Sequence, residues 1–162
     1  RPVSSAASDV YKRQVINIFK ETLEEVIFLA VLMPIIASMG GVAATQTLTI
    51  TVRGLALGQI VKANYKYIFN RELIVGITNG FLWAIVLSLI ACLWFQDWTL
   101  IWVISLSMII NLLAGILSGM GIPILLRSLK MDPAVAGSVI VTTVTDVVGF
   151  FSFLGFASYF YS

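Results

Sequence analysis

Four apolar stretches, each long enough to cross a hydrocarbon core, constrain this chain more than any other feature. They cover about residues 22–52, 73–95, 100–126 and 133–160, with short polar connections between them. The expected fold is therefore all-α, a polytopic transmembrane helical bundle with four spans in the chain. Composition agrees: of 162 residues, 59% are hydrophobic and 11% charged, with a mean hydropathy of +1.00. A soluble domain of this size could not hide so much apolar surface. The expected location is the cell (inner or plasma) membrane, multi-pass, with the lipid bilayer as the first partner.

Arg1 to Gln14 read differently from the rest: polar, with Ser4-Ser5 and Lys12-Arg13, and without the apolar core of a signal peptide. They are expected to be a non-native or linker leader, and residues 15–162 the transmembrane ion-transport domain. The basic residues predict the orientation. The connections after the first and third spans hold Arg53, Lys62, Lys66, Arg71, Arg127 and Lys130, six of the ten Lys and Arg residues. The middle turn, Gln96-Asp97 flanked by Trp94, Trp98 and Trp102, holds none. The two basic connections should face the cytoplasm, and the Trp-flanked turn and C-terminus the other side.

Several functions are excluded at this point. A formal charge of +2 with no basic, aromatic-interleaved patch does not suit a nucleic-acid partner. With no His and a single Cys, Cys92, no zinc or soft-metal site can be built within one chain. No nucleophile–base pair, phosphate loop or pair of acid/base carboxylates can be assembled, so the chain is not expected to be an enzyme.

Function is expected in the last span. Asp132 suits an N-cap and Pro133 the first helical turn, so a helix should start there. Asp146 then lies about 20 Å along it, inside a hydrocarbon core of about 30 Å. A charge at that depth costs at least about 2.5–3.5 kcal/mol, and an ionisable residue inside a span marks a functional site by default. On a helical wheel Ser138, Thr142, Thr145 and Gly149 fall on its side, with Val139 intruding, a partly polar stripe facing a protein or water-lined interior. Such oxygens suit a hard or hydrated cation. The other readings of Asp146 are a proton relay, a counter-charge to a cationic solute, and a buried carboxylate bracing helices. One chain of four spans does not enclose an aqueous path, so a two-fold homodimer with the last helices near its axis is expected.

Six further residues, Pro34, Gly40, Gly41, Gln46, Asn111 and Gly149, are candidates for pore lining or helix packing. Pro34 frees a backbone carbonyl, and Gly40 and Gly41 permit close backbone approach. Gln46 is a polar amide in an apolar span. Asn111 reads as an interhelical hydrogen-bond partner or a pore liner. Gly115 and Gly119 form a G-x-x-x-G spacing that favours close packing, and Gly149 follows Asp146 by three residues.

These residues resemble the membrane domain of the MgtE family of magnesium channels/transporters. The likeness rests on Pro34, Met39-Gly40-Gly41-Val42-Ala43-Ala44-Thr45-Gln46, Arg53-Gly54-Leu55-Ala56-Leu57-Gly58, Asn111, Ala114-Gly115 and Ile122-Pro123. Its specific part is Asp132-Pro133-Ala134 with Thr142-Thr143-Val144-Thr145-Asp146-Val147-Val148-Gly149. The resemblance implies a homodimer with five membrane helices per subunit and a pore near the dimer axis. There the last-helix aspartate, Asp146 here, would hold a hydrated Mg²⁺, with Thr142 and Ser138 one and two turns back. The family's glycine-rich segment often reads G-G-N-x-G-x-Q; here Val42 stands at the Asn position and Ala44 at the third Gly. The family's first membrane helix and cytoplasmic regulatory domains have no counterpart in this sequence; those domains are possible partners within a longer chain. The leading expectation is a Mg²⁺-conducting domain. Its rivals are a secondary transporter coupling H⁺ or Na⁺ to Asp146, and a non-conducting membrane anchor.

Overall fold

The computed structural model describes residues 3–161, with the side chains of residue 27 and residues 29–161. Its elements are α1 (Val3–Ala56), a 3-10 turn (Lys62–Asn64), α2 (Tyr65–Phe95), α3 (Thr99–Ser128) and α4 (Pro133–Tyr161). Four helical stretches are long and apolar enough to span a bilayer: Leu29–Ala56, Lys62–Phe95, Thr99–Ser128 and Pro133–Tyr161. The chain is a multi-pass membrane protein. It divides into two compact units, Arg1–Pro34 and Ile35–Ser162. In the first, the backbone is helical from Val3; the side chains of the expected leader lie outside the described residues. All that follows concerns the second.

Small residues decide how its helices meet. A methyl group added at Gly115 would lie 2.8 Å from the Gly40 carbonyl, and one at Gly119 would lie 2.6 Å from that of Ala44. The α1 and α3 backbones therefore touch over two turns, running parallel because Gly40 meets Gly115 and Ala44 meets Gly119. This is the close packing that membrane helices use in place of a hydrophobic driving force. Helix α4 runs antiparallel to α1. Added methyls at Gly149, Gly41 and Gly137 would meet Ala37 Cα (3.2 Å), Thr145 Oγ1 (3.7 Å) and Leu48 Cδ1 (3.0 Å) respectively. Ala44, Leu48 and Val141 form the buried centre of this contact, with Val52 and Ile122 against it.

Helix α2 packs on α3 through Gly76, Gly80, Ala84, Ser88 and Ala91, its buried residues. Gly76 faces Ile116, Gly80 faces Leu112, and Ser88 Oγ lies 2.9 Å from Ser105 Oγ. The rest of α2 points outward with large apolar side chains such as Ile74, Phe81, Leu89 and Leu93, as lipid requires.

The connections are tightly closed. At the end of α1, Gly58 adopts φ +68, with Gln59 N–H bonded to Gly54 O (2.9 Å) and Gly58 N–H to Leu55 O (3.3 Å). This is a Schellman closure. Helix α3 ends the same way around Lys130 (φ 59), with Met131 N–H on Leu126 O (2.9 Å) and Lys130 N–H on Arg127 O (3.1 Å). Arg127 Nη1 donates to Leu55 O at 2.6 Å, joining the two basic connections at one end of the bundle. At the other end Tyr161 donates to the Asp97 carboxylate. This pairing of ends is the one the basic residues predict. Asp132 caps α4, its Oδ1 accepting from Ala134 N–H at 2.9 Å.

Two boundaries differ from those expected. The connection between the first two spans is shorter than residues 53–72, because α1 continues to Ala56 and α2 begins at Tyr65. Polar residues such as Lys66, Asn70 and Arg71 sit on exposed positions of the first turns of α2. A helix can extend past the hydrocarbon edge, so the apolar run marks the edge and not the helix end.

Candidate functional site

Helix α4 carries its residues in i+4 rows. One row, Gly137, Val141, Thr145, Gly149, Phe153 and Ala157, is buried against the bundle. The adjacent row holds Ser138, Thr142 and Asp146: Ser138 and Asp146 are exposed, Thr142 half-buried. The polar stripe read on the helical wheel is therefore split. Thr145 and Gly149 face inward, whereas Asp146 stands on the flank, about 100° round from Thr145 at 3.6 residues per turn. A wheel gives relative angles only; glycine contacts with α1 and α3 fix which side turns in.

The flank belongs to a groove between α4 and α1. Helix α3 occupies the opposite flank of α4, where Leu106 and Ile110 share an apolar groove with Phe151, Ser152 and Gly155. The Ser138 row thus lies away from α3, beyond the α1 contact. On α1, Gly40 and Thr47 face α3, and Ala37, Gly41 and Leu48 face α4. Thr45 and Thr49 continue beyond the α4 contact and are exposed, whereas Thr47 and Thr51 are buried. The antiparallel register of Ala37 with Gly149 and Leu48 with Gly137 brings Asp146 level with Gly41, Thr142 with Thr45, and Ser138 with Thr49.

The threonine hydroxyl hydrogens along this groove are already used. Thr45 Oγ1 donates to Gly41 O (2.7 Å), Thr49 Oγ1 to Thr45 O (2.8 Å), and Thr142 Oγ1 to Ser138 O (2.8 Å). Their oxygens keep lone pairs free, so the walls present acceptors. Among the described residues nothing donates to or pairs with the Asp146 carboxylate. No group of three or more His, Cys, Asp or Glu side chains that could hold a metal exists among the described residues. One chain thus offers a single carboxylate among neutral acceptors, a set suited to the water shell of a cation rather than to a dehydrated ion.

The packing candidates fall into two groups. Gln46 is exposed and Gly41, at the groove, is half-buried, whereas Gly40, Asn111 and Gly149 are buried together; Pro34, in the first unit, is exposed. Asn111 projects from α3 between α1 and α4, its Nδ2 donating to Ile36 O at 2.8 Å. The small-residue row on α2 and the division of the α1 threonines into two faces were not read from the sequence. The four-residue spacing of Gly76, Gly80, Ala84 and Ser88, and of Thr45–Thr49 against Thr47–Thr51, was the available signal.

A family model described as MgtE, divalent cation transporter, matches residues 33–156. The chain belongs to the MgtE family. The match includes the α1 groove face, Asn111 and the whole Ser138–Asp146 row. The chain is 31% identical over 146 residues to the magnesium transporter MgtE of Bacillus subtilis, covering 90% of this chain and 32% of that protein. It is 28% identical over 145 residues to the magnesium transporter MgtE of Enterococcus faecalis, with the same coverage of 90% and 32%. With the magnesium transporter MgtE of Thermus thermophilus the identity is 30% over 139 residues, 86% of this chain and 31% of the relative. The chain thus spans about one third of the length of the curated MgtE relatives it matches.

Proposed function

We propose that this MgtE-family chain is the ion-conducting part of a Mg²⁺ transporter, with the α4 row Ser138, Thr142 and Asp146 lining the path. The observation that carries the reading is the Asp146 carboxylate: in the middle of a span, exposed on one chain, and without a described partner. Lipid cannot cover it cheaply. A second copy facing the same flank would enclose the groove, and we propose a two-fold dimer with the α4 rows opposed. Two carboxylates brought together across the axis repel at low dielectric, and a divalent cation between them removes the conflict. Mg²⁺ dehydrates reluctantly, so the carboxylates would hold it through its waters, with threonine and serine oxygens accepting from the same shell.

The test is Mg²⁺ uptake by Asp146→Asn, which keeps shape and removes charge. Uptake should be lost while membrane insertion and abundance stay normal, and Asp146→Glu should retain partial uptake with altered ion preference. Wild-type uptake by Asp146→Asn at equal abundance would sink the reading. Uptake that stops on removing H⁺ or Na⁺ gradients would replace it with a coupled carrier.

A further inference from the structure

We infer that Asn111 is a positioning residue for the last-helix carboxylate: its amide, clamped between Gly40 and Gly149, sets the separation of α1 and α4 at the level of Asp146. The inference rests on the proposed role of Asp146 and adds a residue of α3 that does not reach the groove.

The clamp is read from what the two glycines would meet. A methyl group at Gly40 would fall 2.2 Å from Asn111 Nδ2 and 2.8 Å from Oδ1; one at Gly149 would fall 2.8 Å from Nδ2 and 3.2 Å from Ala37 Cα. The amide therefore occupies the space that side chains on α1 and α4 would otherwise share. Gly149 lies one turn beyond Asp146, and Gly40 adjoins Gly41, which is level with Asp146. A change in the thickness of this spacer moves the walls of the groove at the carboxylate.

The choice of asparagine is not explained by stability. Asn111 is 0% exposed and its Oδ1 is buried with no hydrogen-bond partner. An unmade bond of that kind leaves the loss of water at the oxygen uncompensated, and an apolar residue of the same shape would avoid it. Exchanging the amide nitrogen and oxygen does not help, since it would set two oxygens against each other at Ile36. What asparagine supplies is a thin planar group, held in one orientation by the bond to Ile36 O. Leucine has the same branching, but its methyls are thicker than an oxygen or an amide nitrogen. Asn111→Leu removes the unsatisfied acceptor but overfills the space between α1 and α4; the two effects on stability oppose each other, so stability should change little while transport falls. A residue that merely braces the fold would lose both together.

The experiment compares wild type, Asn111→Leu and Asp146→Asn for thermal midpoint in detergent and for Mg²⁺ uptake in cells. It also follows disulfide formation between Thr45→Cys and Thr142→Cys, level across the groove, in a Cys92→Ser background with and without Asn111→Leu. Asn111→Leu should leave the midpoint close to that of wild type, slow the disulfide, and lower uptake by about tenfold or more, as expected for ångström-scale misplacement of a binding group. Unchanged disulfide formation, unchanged uptake, or a midpoint that falls together with uptake would each overturn the inference. Uptake retained by Asp146→Asn would instead overturn the proposed function, with the disulfide rate still reporting on the spacer. Uptake lost there while Asn111→Leu transports normally removes only the role of Asn111.

Discussion

Tyr161, in the last turn of α4, donates a hydrogen bond to the carboxylate of Asp97 in the turn between α2 and α3. Partial burial raises the Asp97 carboxyl, but hydrogen bonds from Tyr161 and from the Thr99 backbone and side chain outweigh it. Its pKa therefore lies below the ordinary 3.8. A carboxyl depressed in the folded state stabilises the fold above its unfolded value and loses that contribution as pH falls through the folded value. The thermal midpoint should therefore drop on acidification below about pH 4. In Tyr161→Phe the drop should be smaller, with a loss on the order of 1 kcal/mol or less at neutral pH, given solvent screening at this end. An equal acid drop in wild type and Tyr161→Phe would show that the bond is not coupled to stability.

The backbone contact between α1 and α3 gives a second prediction with an internal control. Gly119→Ala would place its methyl 2.6 Å from the Ala44 carbonyl, which only a shift of a whole helix can relieve. The same change at Gly121, with nothing within 4 Å, gains helix propensity alone, up to about 1 kcal/mol. Folded yield from membranes should fall sharply for Gly119→Ala and stay level or rise for Gly121→Ala. Equal yields would mean that the α1–α3 contact is looser than described.

Lys130 carries the third. Its φ of 59 puts an ordinary side chain where the α3 closure favours glycine. Relief of that strain by Lys130→Gly should raise stability by roughly 0.5–1 kcal/mol, less what the more flexible unfolded chain takes back. A lower thermal midpoint for Lys130→Gly would mean that the lysine side chain holds a contact that outweighs its backbone cost.

The sequence disclosed the spans, the Asp132 cap, the close packing at Gly115 and Gly119, and the ends that pair through Arg127 and Tyr161. All of these depend on local chemistry or on charge counted along the chain. Which half of α4 turns inward was not legible, because Thr145 and Asp146 differ by one residue and only a partner helix chooses between them. Nor was the unpaired oxygen of Asn111, since a lone amide in an apolar span says that a partner is needed but not how many it finds. The two threonine faces of α1 stayed merged for the same reason.

Where α1 and α3 meet, main chain rests on main chain, with no flexible side chain between them to take up displacement. Sliding one past the other would strip contact from two turns at once, so from Gly40 to Thr47 the pair behaves mechanically as a single beam. Helix α4 lies against both members of that beam, on Ala37, Gly41 and Leu48 of α1 and on Asn111 and Leu126 of α3, with the Tyr161 bond to Asp97 at its far end. The Asp146 row is thus mounted on a strut braced from two sides, and only its outer flank is left open.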